Sequence, residues 1–504
     1  MRRLTALTLA GVLLGAGTLS ACSAGAGSSS GPSGAAVSTD LAVGMVAEPA
    51  NLDFTTTDGA AIPQALLNNV YEPLVAIDAE GRIVPKLATS WEISADRKTY
   101  TFTLVDNATF SDGAPFTADD AVFSIERVKD DWTTSLADAM DVVEKAEATS
   151  PTTLTVTLSR PSNDWLYRMT TRIGAMFSRT GVDELATKTV GTGPYTVDRW
   201  TRGDHLHLVR RDGYWGQAPF FTGVTLRYFK DPTALNNALL TDSIDVISTI
   251  QAPEALGQFS GDQRFQVIEG TTNGEVVLSF NNAKAPFDDR SVRQAARQAI
   301  DKDALLQTCW AGRGSRIGSM VPPTDPWYED LTSIHPHDPE AARTLLAESG
   351  NPTPTIRLRL PTLPYATSCG QVVKSDLEKV GFRVTLDQLE FPAGWVTEVM
   401  KNGDYDASIV AHVEPRDLPT LYGNPDYYLH YDNAEVRAAL AKADAGDEQT
   451  QIATMREVAR TISTDAASDW LFLLPNLMVA DKDITGLPKN AVGESFDLTT
   501  LARG

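Results

Sequence analysis

The chain has 504 residues, of which 43 are Lys or Arg and 65 are Asp or Glu, so its formal net charge at pH 7 is −22. A surface this acidic favours solubility and is repelled by nucleic acid, so we expect no nucleic-acid partner. The length is sufficient for two or three lobes, each with a hydrophobic core of its own.

The first segment of the chain has the layout of an export signal. Arg2 and Arg3 supply positive charge, and the uncharged run 4–19 is too short and too rich in glycine for a membrane span. The run ends in "LSAC", which resembles the lipobox of bacterial lipoproteins, in which the cysteine receives a diacylglyceryl group. We therefore predict a signal peptide over 1–21 and lipidation of Cys22. The alternative is an ordinary signal peptide cut at the same place.

The stretch after Cys22 is almost entirely Ser, Gly and Ala. Such a composition cannot bury enough apolar surface to fold and behaves as a flexible linker, so we predict a lipidated tether over 22–39. Two acyl chains are sufficient for stable anchoring in a bilayer. We therefore expect the protein on the extracytoplasmic face of the cell membrane, held by its lipid anchor.

Beyond the tether, strand and helix patterns alternate without a fixed repeat, which favours a mixed α/β fold over a solenoid. Thr117 and Asp338 are candidate N-caps of helices, and Pro339 follows the second of them at the first helical position. Strict alternation of apolar and polar residues predicts half-buried strands. The strands are predicted at 99–105 and 153–159, and the helices at 116–128, 291–301, 338–350 and 435–446.

The sequence contains no H-E-x-x-H, G-x-S-x-G or C-x-x-C motif and no Gly-Lys pair for a phosphate loop. His205 and His207 alternate with leucines, so we expect them on the solvent face of a strand, and two histidines without a third ligand are a weak metal site. His335 and His337 fall in a loop that contains proline, and we expect them at the surface. The sequence therefore predicts no enzymatic activity, no metal and no cofactor.

Four blocks of the sequence are similar to the family 5 extracellular solute-binding proteins, which are the peptide- and nickel-type receptors of ABC importers. The blocks occur in the order of the family and together extend over nearly the whole chain beyond the tether. They are residues 68–128, 190–219, 280–301 and 337–350.

The resemblance implies an α/β, periplasmic-binding-protein-like fold of class II, cluster C, with two lobes joined by a hinge and an extra subdomain in the first lobe. The chain is expected to cross between the lobes twice. We place the first lobe at 40–66, 189–270 and 476–504, its extra subdomain at 67–188, and the second lobe at 271–475.

The resemblance also implies a function. A ligand enters the open cleft, the lobes close over it, and the closed protein docks on the ABC permease subunits without covalent chemistry. We expect a monomer that binds a peptide. Two alternatives stay open: the same fold binding a nickel chelate, haem, an opine or an oligosaccharide, and a lipoprotein that works as a sensor or adhesin. A secreted hydrolase is a more distant third.

The segment 409–423 matches a family segment that faces the ligand and carries an aspartate that pairs the amine of a peptide. Glu414 falls nearest to that aspartate, and Asp417 matches a second acidic position. We predict that one of them pairs the amine, with Glu414 favoured. Ala411 stands where the family usually has a tryptophan.

Dipeptide receptors of the family hold the ligand's carboxylate with an arginine near the segment that corresponds to 361–368, where this chain has no arginine. Arg416 is a candidate to replace it, and the alternative is that Arg416 neutralises the acids beside it. Without the carboxylate clamp, we favour longer peptides over dipeptides.

Five further residues are candidate ligand contacts. Phe280, Asn281 and Asn282 lie where the family's chain first crosses into the second lobe, and Trp395 and Tyr365 are candidate aromatic walls. Ordinary core packing is an equally good interpretation of each.

The remaining cysteines are Cys309 and Cys369. An even number of cysteines in an exported protein makes a disulfide a natural interpretation, and we predict one within the second lobe. The alternative is two buried thiols.

Overall fold

The structure is a computed structural model of the chain, and it describes residues 39–57 and 59–504. The predicted signal peptide, Cys22 and the predicted tether up to residue 38 lie outside the described residues. Among the helices of the described part, none is both long and apolar enough to cross a bilayer.

The described chain is a mixed α/β protein in which strands and helices alternate. The strands are β1 (Asp40–Met45), β2 (Val75–Ile77), β3 (Ile83–Pro85), β4 (Ala88–Ile93), β5 (Thr99–Leu104), β6 (Val143–Ser150), β7 (Thr153–Leu158), β8 (Tyr195–Thr201), β9 (His205–Arg210), β10 (Gly223–Tyr228), β11 (Val246–Ile247), β12 (Phe265–Phe280), β13 (Thr355–Pro361), β14 (Arg383–Leu389), β15 (Ala407–His412), β16 (Ser468–Asp481), β17 (Ile484–Thr485) and β18 (Ala502–Arg503). The helices are α1 (Ala61–Leu66), α2 (Ala118–Asp131), α3 (Asn163–Arg168), α4 (Pro232–Leu240), α5 (Gly257–Ser260), α6 (Arg290–Ala299), α7 (Lys302–Cys309), α8 (Pro339–Glu348), α9 (Pro364–Val380), α10 (Ala393–Trp395), α11 (Leu418–Gly423), α12 (Ala434–Ala445) and α13 (Glu448–Thr464).

A ten-stranded sheet in the order β14-β13-β15-β12-β16-β11-β1-β10-β9-β8 runs through the molecule. We call the half with β1 and β8 to β11 the first lobe and the half with β13 to β15 the second lobe. The long antiparallel strands β12 and β16 belong to both halves. Their register is interrupted between Thr271 and Glu275, which marks the hinge between the lobes.

A separate antiparallel sheet, β4-β5-β7-β6, packs with α2 and α3 into a unit that we call the extra subdomain. Its buried side chains, among them Phe102 and Trp165, belong to the same hydrophobic cluster as Val43 of the first lobe. The second lobe has two clusters of its own, one around Leu358 and one around Trp470. The subdomain is therefore an extension of the first lobe and not of the second.

Local sequence signals explain why several elements begin where they do. Thr117 caps α2 in a capping box with Asp120, whose carboxylate accepts hydrogen bonds from the backbone N–H and the hydroxyl of Thr117 at 2.9 Å. Asp338 caps α8 and Pro339 occupies its first position, as predicted. The strands predicted at 99–105 and 153–159 are β5 and β7, each one residue shorter than predicted.

Cys309 at the end of α7 and Cys369 in α9 form a disulfide, with their Cα atoms 5.1 Å apart and 60 positions between them in the sequence. The bond joins two helices that pack on the same face of the second lobe's sheet. A cross-link over a loop of this length removes conformational entropy from the unfolded chain, which is worth roughly 4 kcal/mol in the chain-entropy treatment.

The histidines lie where the sequence indicates. His205 and His207 are in β9 and only partly buried, whereas Leu206 and Leu208 between and beside them are completely buried. His335 precedes α8 in a loop, and its ring hydrogen-bonds the Thr464 carbonyl. Within residues 39–57 and 59–504, no group of three or more His, Cys, Asp or Glu side chains is arranged to hold a metal ion.

Candidate ligand-binding site

Two carboxylates are buried together at the hinge. Glu275 is the first residue of β12 after the register interruption, and its register partner in β15 is His412. The chain leaves β15 at His412 and returns with Asp417, directly before α11. Glu275 is only 2 % exposed and Asp417 only 7 %. The strand pairing and the return of the loop therefore bring both acids into one buried place.

Burial makes the charged form of both acids unfavourable. Loss of hydration, and then the negative charge of Asp417, raises the pKa of Glu275 well above its usual value. Loss of hydration, and then the charge of Glu414, raises the pKa of Asp417 to about 8, and the positive charge of Arg168 opposes this shift only in part. The two acids therefore hold protons that ordinary carboxyl groups lose at neutral pH.

Neighbouring groups do not supply the missing positive charge. The His412 Nδ1 atom lies 3.8 Å from the Asp417 carboxylate, but burial lowers the pKa of His412 to about 4, so its ring is neutral at pH 7. Burial also raises the pKa of Asp325 to about 6, against the opposing charge of Arg416. Asp325 is therefore a third buried acid in the same cluster.

Arg416 connects the second lobe to the extra subdomain. Its guanidinium lies over the ring of Tyr167 in α3, 3.8 Å from the centroid, and over the ring of Trp327, 4.8 Å from the centroid. It also donates to the Gly81 carbonyl at 3.5 Å and lies 3.5 Å from the Asp325 carboxylate. Arg416 is thus occupied by contacts to both sides of the cleft.

We define the acidic hinge cluster as Glu275, Asp325, Asp417 and the exposed Glu414 beside them. Of the two arginines next to its buried acids, Arg416 is paired with Asp325. Arg168 is paired with Asp164 at 3.2 Å. Among the described residues, the Glu275 Oε2 atom is buried and has no hydrogen-bond partner. A buried acceptor without a donor is costly, so the cluster suits a cationic group that donates hydrogen bonds.

The family model for bacterial extracellular solute-binding proteins, family 5, matches residues 82–433, which is well over half of the chain. The chain belongs to this family. Its members are transport receptors of ABC importers and not enzymes, and the fold has two lobes, as the resemblance in the sequence implies.

Individual proteins are similar over nearly the full described length. The probable D,D-dipeptide-binding periplasmic protein DdpA of Escherichia coli (strain K12) is 26% identical over 499 residues, which are 92% of this chain and 94% of DdpA. The periplasmic binding protein DppA of Helicobacter pylori, in complex with the peptide STSA, superposes with a TM-score of 0.78 at 21% identity and covers 92% of this chain and 98% of its own.

A third similar protein has a different ligand. The structure of NikA from Brucella suis in complex with Fe(III)-EDTA has a TM-score of 0.82 to this chain at 22% identity, covering 92% of this chain and all (100%) of NikA. The fold alone therefore does not determine which class of ligand is bound. In this solute-binding protein, the side chains at the site determine the ligand class.

The acidic loop predicted to face the ligand divides into an exposed and a buried part. Glu414 is exposed, whereas Asp417 is buried beside Glu275, and Arg416 stacks between two aromatic rings. The sequence favours Glu414 over Asp417 as the partner of a peptide amine. Burial does not support this order, because Glu414 is the exposed residue of the two.

The other predicted contacts of this solute-binding protein have partners inside the second lobe. Phe280 is completely buried and stacks on Phe287, 4.5 Å between centroids. Asn281 donates to the carbonyls of Gly403 and Tyr405, and Asn282 donates to those of Phe280, Leu429 and Ala467. Their side chains hold the end of β12 to neighbouring segments.

The two predicted aromatic walls also have packing partners. Trp395 is 3 % exposed, and its indole N–H donates to the Ser408 hydroxyl at 3.0 Å. The Tyr365 hydroxyl accepts a hydrogen bond from the Ala411 backbone N–H at 2.8 Å. Tyr167 and Trp327 lie next to the cluster, on either side of Arg416.

Sequence reasoning missed Glu275, Asp325, Tyr167 and Trp327. A signal existed for Glu275, because it is an acidic residue at the head of an otherwise apolar run, "EVVLSF". No comparable signal existed for the other three, since they come from a short helix and from an irregular loop between α7 and α8.

Proposed function

We propose that this solute-binding protein is the lipid-anchored, extracytoplasmic receptor of an ABC importer and captures peptides by their free amine. The observation that supports this most directly is the acidic hinge cluster, in which Glu275 and Asp417 are buried without enough positive charge. A peptide amine is a cation that loses its hydration when the lobes close, and it requires a buried carboxylate as partner. In the complex, the buried carboxylates therefore gain a cation, and the amine gains an anionic partner.

Asp417 is the better partner for the amine, and Glu275 the second acceptor. An ammonium has three N–H donors, so it can satisfy both the Asp417 carboxylate and the Glu275 Oε2 atom that has no described partner. Glu414 is exposed, so water screens its charge. Glu414 therefore contributes more to the attraction of the approaching amine than to the affinity of the final complex.

An oligopeptide fits better than a dipeptide. The segment 361–368 has no arginine, Arg357 and Arg359 are paired with Asp404, and Arg416 is held by Asp325 and two aromatic rings. A ligand therefore has no dedicated clamp for a carboxylate two residues from its amine. The tetrapeptide complex of the Helicobacter pylori relative supports this choice.

A metal chelate with negative charge is the main competing ligand, because the Brucella suis relative binds Fe(III)-EDTA. The acidic hinge cluster would repel such an anion. Mass spectrometry of ligand extracted from the purified protein distinguishes peptides from chelates, haem, opines and oligosaccharides without prior assumption.

The direct test is calorimetry with Ala-Ala-Ala-Ala and its N-acetylated form. We expect the free peptide to bind and the acetylated peptide to lose about 2–5 kcal/mol of affinity, because the buried carboxylates then lack a cation. The peptide with an amidated C-terminus is the control and should bind as the free peptide does. Equal affinity for the acetylated and free peptides would exclude amine recognition.

The anchor is tested separately by Cys22→Ala. We expect the variant to move from the membrane fraction to the soluble extracytoplasmic fraction with an unchanged unfolding transition. A wild-type protein that is already soluble in cells would contradict lipidation. The same preparation, run on a sizing column, tests the expected monomer.

A further inference from the structure

A cavity of about 450 Å³ lies between the extra subdomain and the second lobe. One wall is formed by α3 and the residues before it, and the other by α11, α12 and α13. It shares five residues with the site described above: Tyr167, Arg168, Asp325, Trp327 and Arg416. Arg416 and Leu418 in the lining are the chain neighbours of Asp417, so the cavity begins directly beside the acidic hinge cluster.

The charged residues of the lining neutralise one another. Six charged side chains line the cavity, and they form three ion pairs of opposite sign. The pairs are Arg160 with Asp444 at 2.6 Å, Arg168 with Asp164 at 3.2 Å, and Arg416 with Asp325 at 3.5 Å. The cavity therefore offers no uncompensated charge to an occupant, in contrast to the cluster beside it.

The rest of the lining is predominantly apolar. Its larger apolar side chains are those of Tyr167, Trp327, Leu418, Leu440 and Met455, and alanines and prolines supply the rest. An apolar lining with a few polar groups at the edge is typical of sites that bind the apolar part of a small ligand, and 450 Å³ lies in the size range of such sites. The flexible methionine allows groups of different shape to be accommodated.

Hydrogen bonds join the two walls of the cavity. The Asp444 carboxylate at the end of α12 accepts hydrogen bonds from the Ser162 hydroxyl at 2.9 Å and the Asp164 backbone N–H at 3.0 Å. Asn163 donates to the carbonyls of Ala443 and Gly446. Because one wall belongs to each lobe, the cavity is complete only when the lobes are together.

We propose that this apolar cavity binds an uncharged, apolar side chain of the ligand whose amine is held by Asp417, and so selects peptides with a large aliphatic or aromatic residue. The inference rests on the proposed function. A side chain in the cavity contacts both lobes at once, so its burial also favours the closed conformation. The acidic hinge cluster thus binds the amine of the ligand, and the cavity binds its apolar side chain.

The test is a binding series with Gly-Gly-Gly-Gly and the four peptides in which one glycine is replaced by phenylalanine. We expect one position of the phenylalanine to raise the affinity by about tenfold or more, as the burial of an aromatic side chain predicts. The same series is then measured on Ala441→Phe, which fills the cavity from an exposed position of α12. The gain should disappear in this variant.

Ala438→Phe is the matched control, because Ala438 is an exposed alanine of the same helix that does not line the cavity. It should retain the gain. Five peptides of equal affinity would overturn the cavity's role and leave amine recognition intact, and a gain that survives in Ala441→Phe would place the side chain elsewhere. If none of the five binds, the proposed function fails, and this inference fails with it.

Discussion

Two buried glutamates of this molecule have opposite surroundings. Glu72 has a completely buried side chain, and its carboxylate accepts hydrogen bonds from the Tyr214 hydroxyl at 2.6 Å and the Trp215 indole N–H at 2.8 Å, with the Lys86 ammonium 3.3 Å away. Glu275 is equally inaccessible, but its Oε2 atom has no hydrogen-bond partner among the described residues. The two glutamates are therefore alike in burial and differ in the number of hydrogen-bond donors that their carboxylates receive.

The comparison has a physical basis. A buried carboxylate that receives three donors exchanges its hydration for fixed partners and stabilises the fold around it. A buried carboxylate with one oxygen that receives no donor keeps an unmet hydrogen-bonding requirement, which a cationic donor can satisfy. Glu72 holds the segment before β2 to the segment 214–215, whereas Glu275 lies at the hinge, where we propose that the two lobes close over a ligand.

The largest expected effect is on stability at Glu72. Glu72→Gln removes the buried anion that the partly buried Lys86, Tyr214 and Trp215 contact, so we expect it to lower the unfolding free energy by about 3–5 kcal/mol. Urea unfolding measures this. Glu275→Gln is the matched change at the hinge, and it should leave the unfolding free energy unchanged or raised, because burial and the charge of Asp417 raise the pKa of Glu275 and make its charged form unfavourable. Equal losses of unfolding free energy in the two variants would contradict the difference in surroundings between Glu72 and Glu275.

The next effect is on binding at Asp417. Asp417→Asn should lower the affinity for a peptide with a free amine by about 2–5 kcal/mol, since the ammonium then loses its buried anionic partner. Calorimetry measures the affinity, and urea unfolding should show no loss of stability. Asp426→Asn, an exposed aspartate in the loop after α11, is the control. A variant that binds within threefold of wild type, below about 1 kcal/mol, would exclude Asp417 as the partner.

A pH series on the ligand-free protein gives an effect that is smaller per pH unit. The pKa of Asp417 is about 8 in the folded protein and about 4 for an ordinary aspartate. The folded state therefore holds this proton more tightly, so the stabilisation is complete below about pH 4 and is lost as the pH rises towards 8. We expect wild type to lose up to about 1.4 kcal/mol per pH unit relative to Asp417→Asn. Parallel curves for the two proteins would contradict the raised pKa.

The smallest effect is expected at Glu414. Because Glu414 is exposed, Glu414→Gln should change the affinity for the amine by less than about 1 kcal/mol, and the change should diminish in high salt. Calorimetry at two ionic strengths is sufficient. A loss as large as that of Asp417→Asn would restore the preference for Glu414 that the sequence suggests.

Local signals in the sequence were sufficient for much of the fold. The capping box at Thr117 and the Asp338–Pro339 pair each act within one turn of helix, so they identify α2 and α8 without knowledge of distant residues. The alternation in β5 and β7 is equally local. The family blocks supplied the two-lobe arrangement, which no local pattern contains.

The site was only partly predictable because it is assembled from distant segments. Asp417, Glu275, Asp325 and Tyr167 are brought together by the pairing of β12 with β15 and by the approach of the extra subdomain to the second lobe. The resemblance identified the acidic loop, but burial, which the sequence does not give, separates Asp417 from Glu414. Phe280 was predicted from its place at the first crossing into the second lobe and Trp395 as an aromatic wall, and the side chains of both are buried among packing partners.

The ten-stranded sheet also determines the order in which the protein acquires its structure. β1 is among the first described residues, yet it lies between β10 and β11, and β11 pairs with β16 near the other end of the chain. The amide of Asn69 likewise donates to the Phe496 carbonyl. A chain that emerges N-terminus first therefore exposes β1 long before its sheet is complete. The second lobe draws β13 to β15 from one continuous stretch, so the lobe that starts the described chain is the last to finish folding.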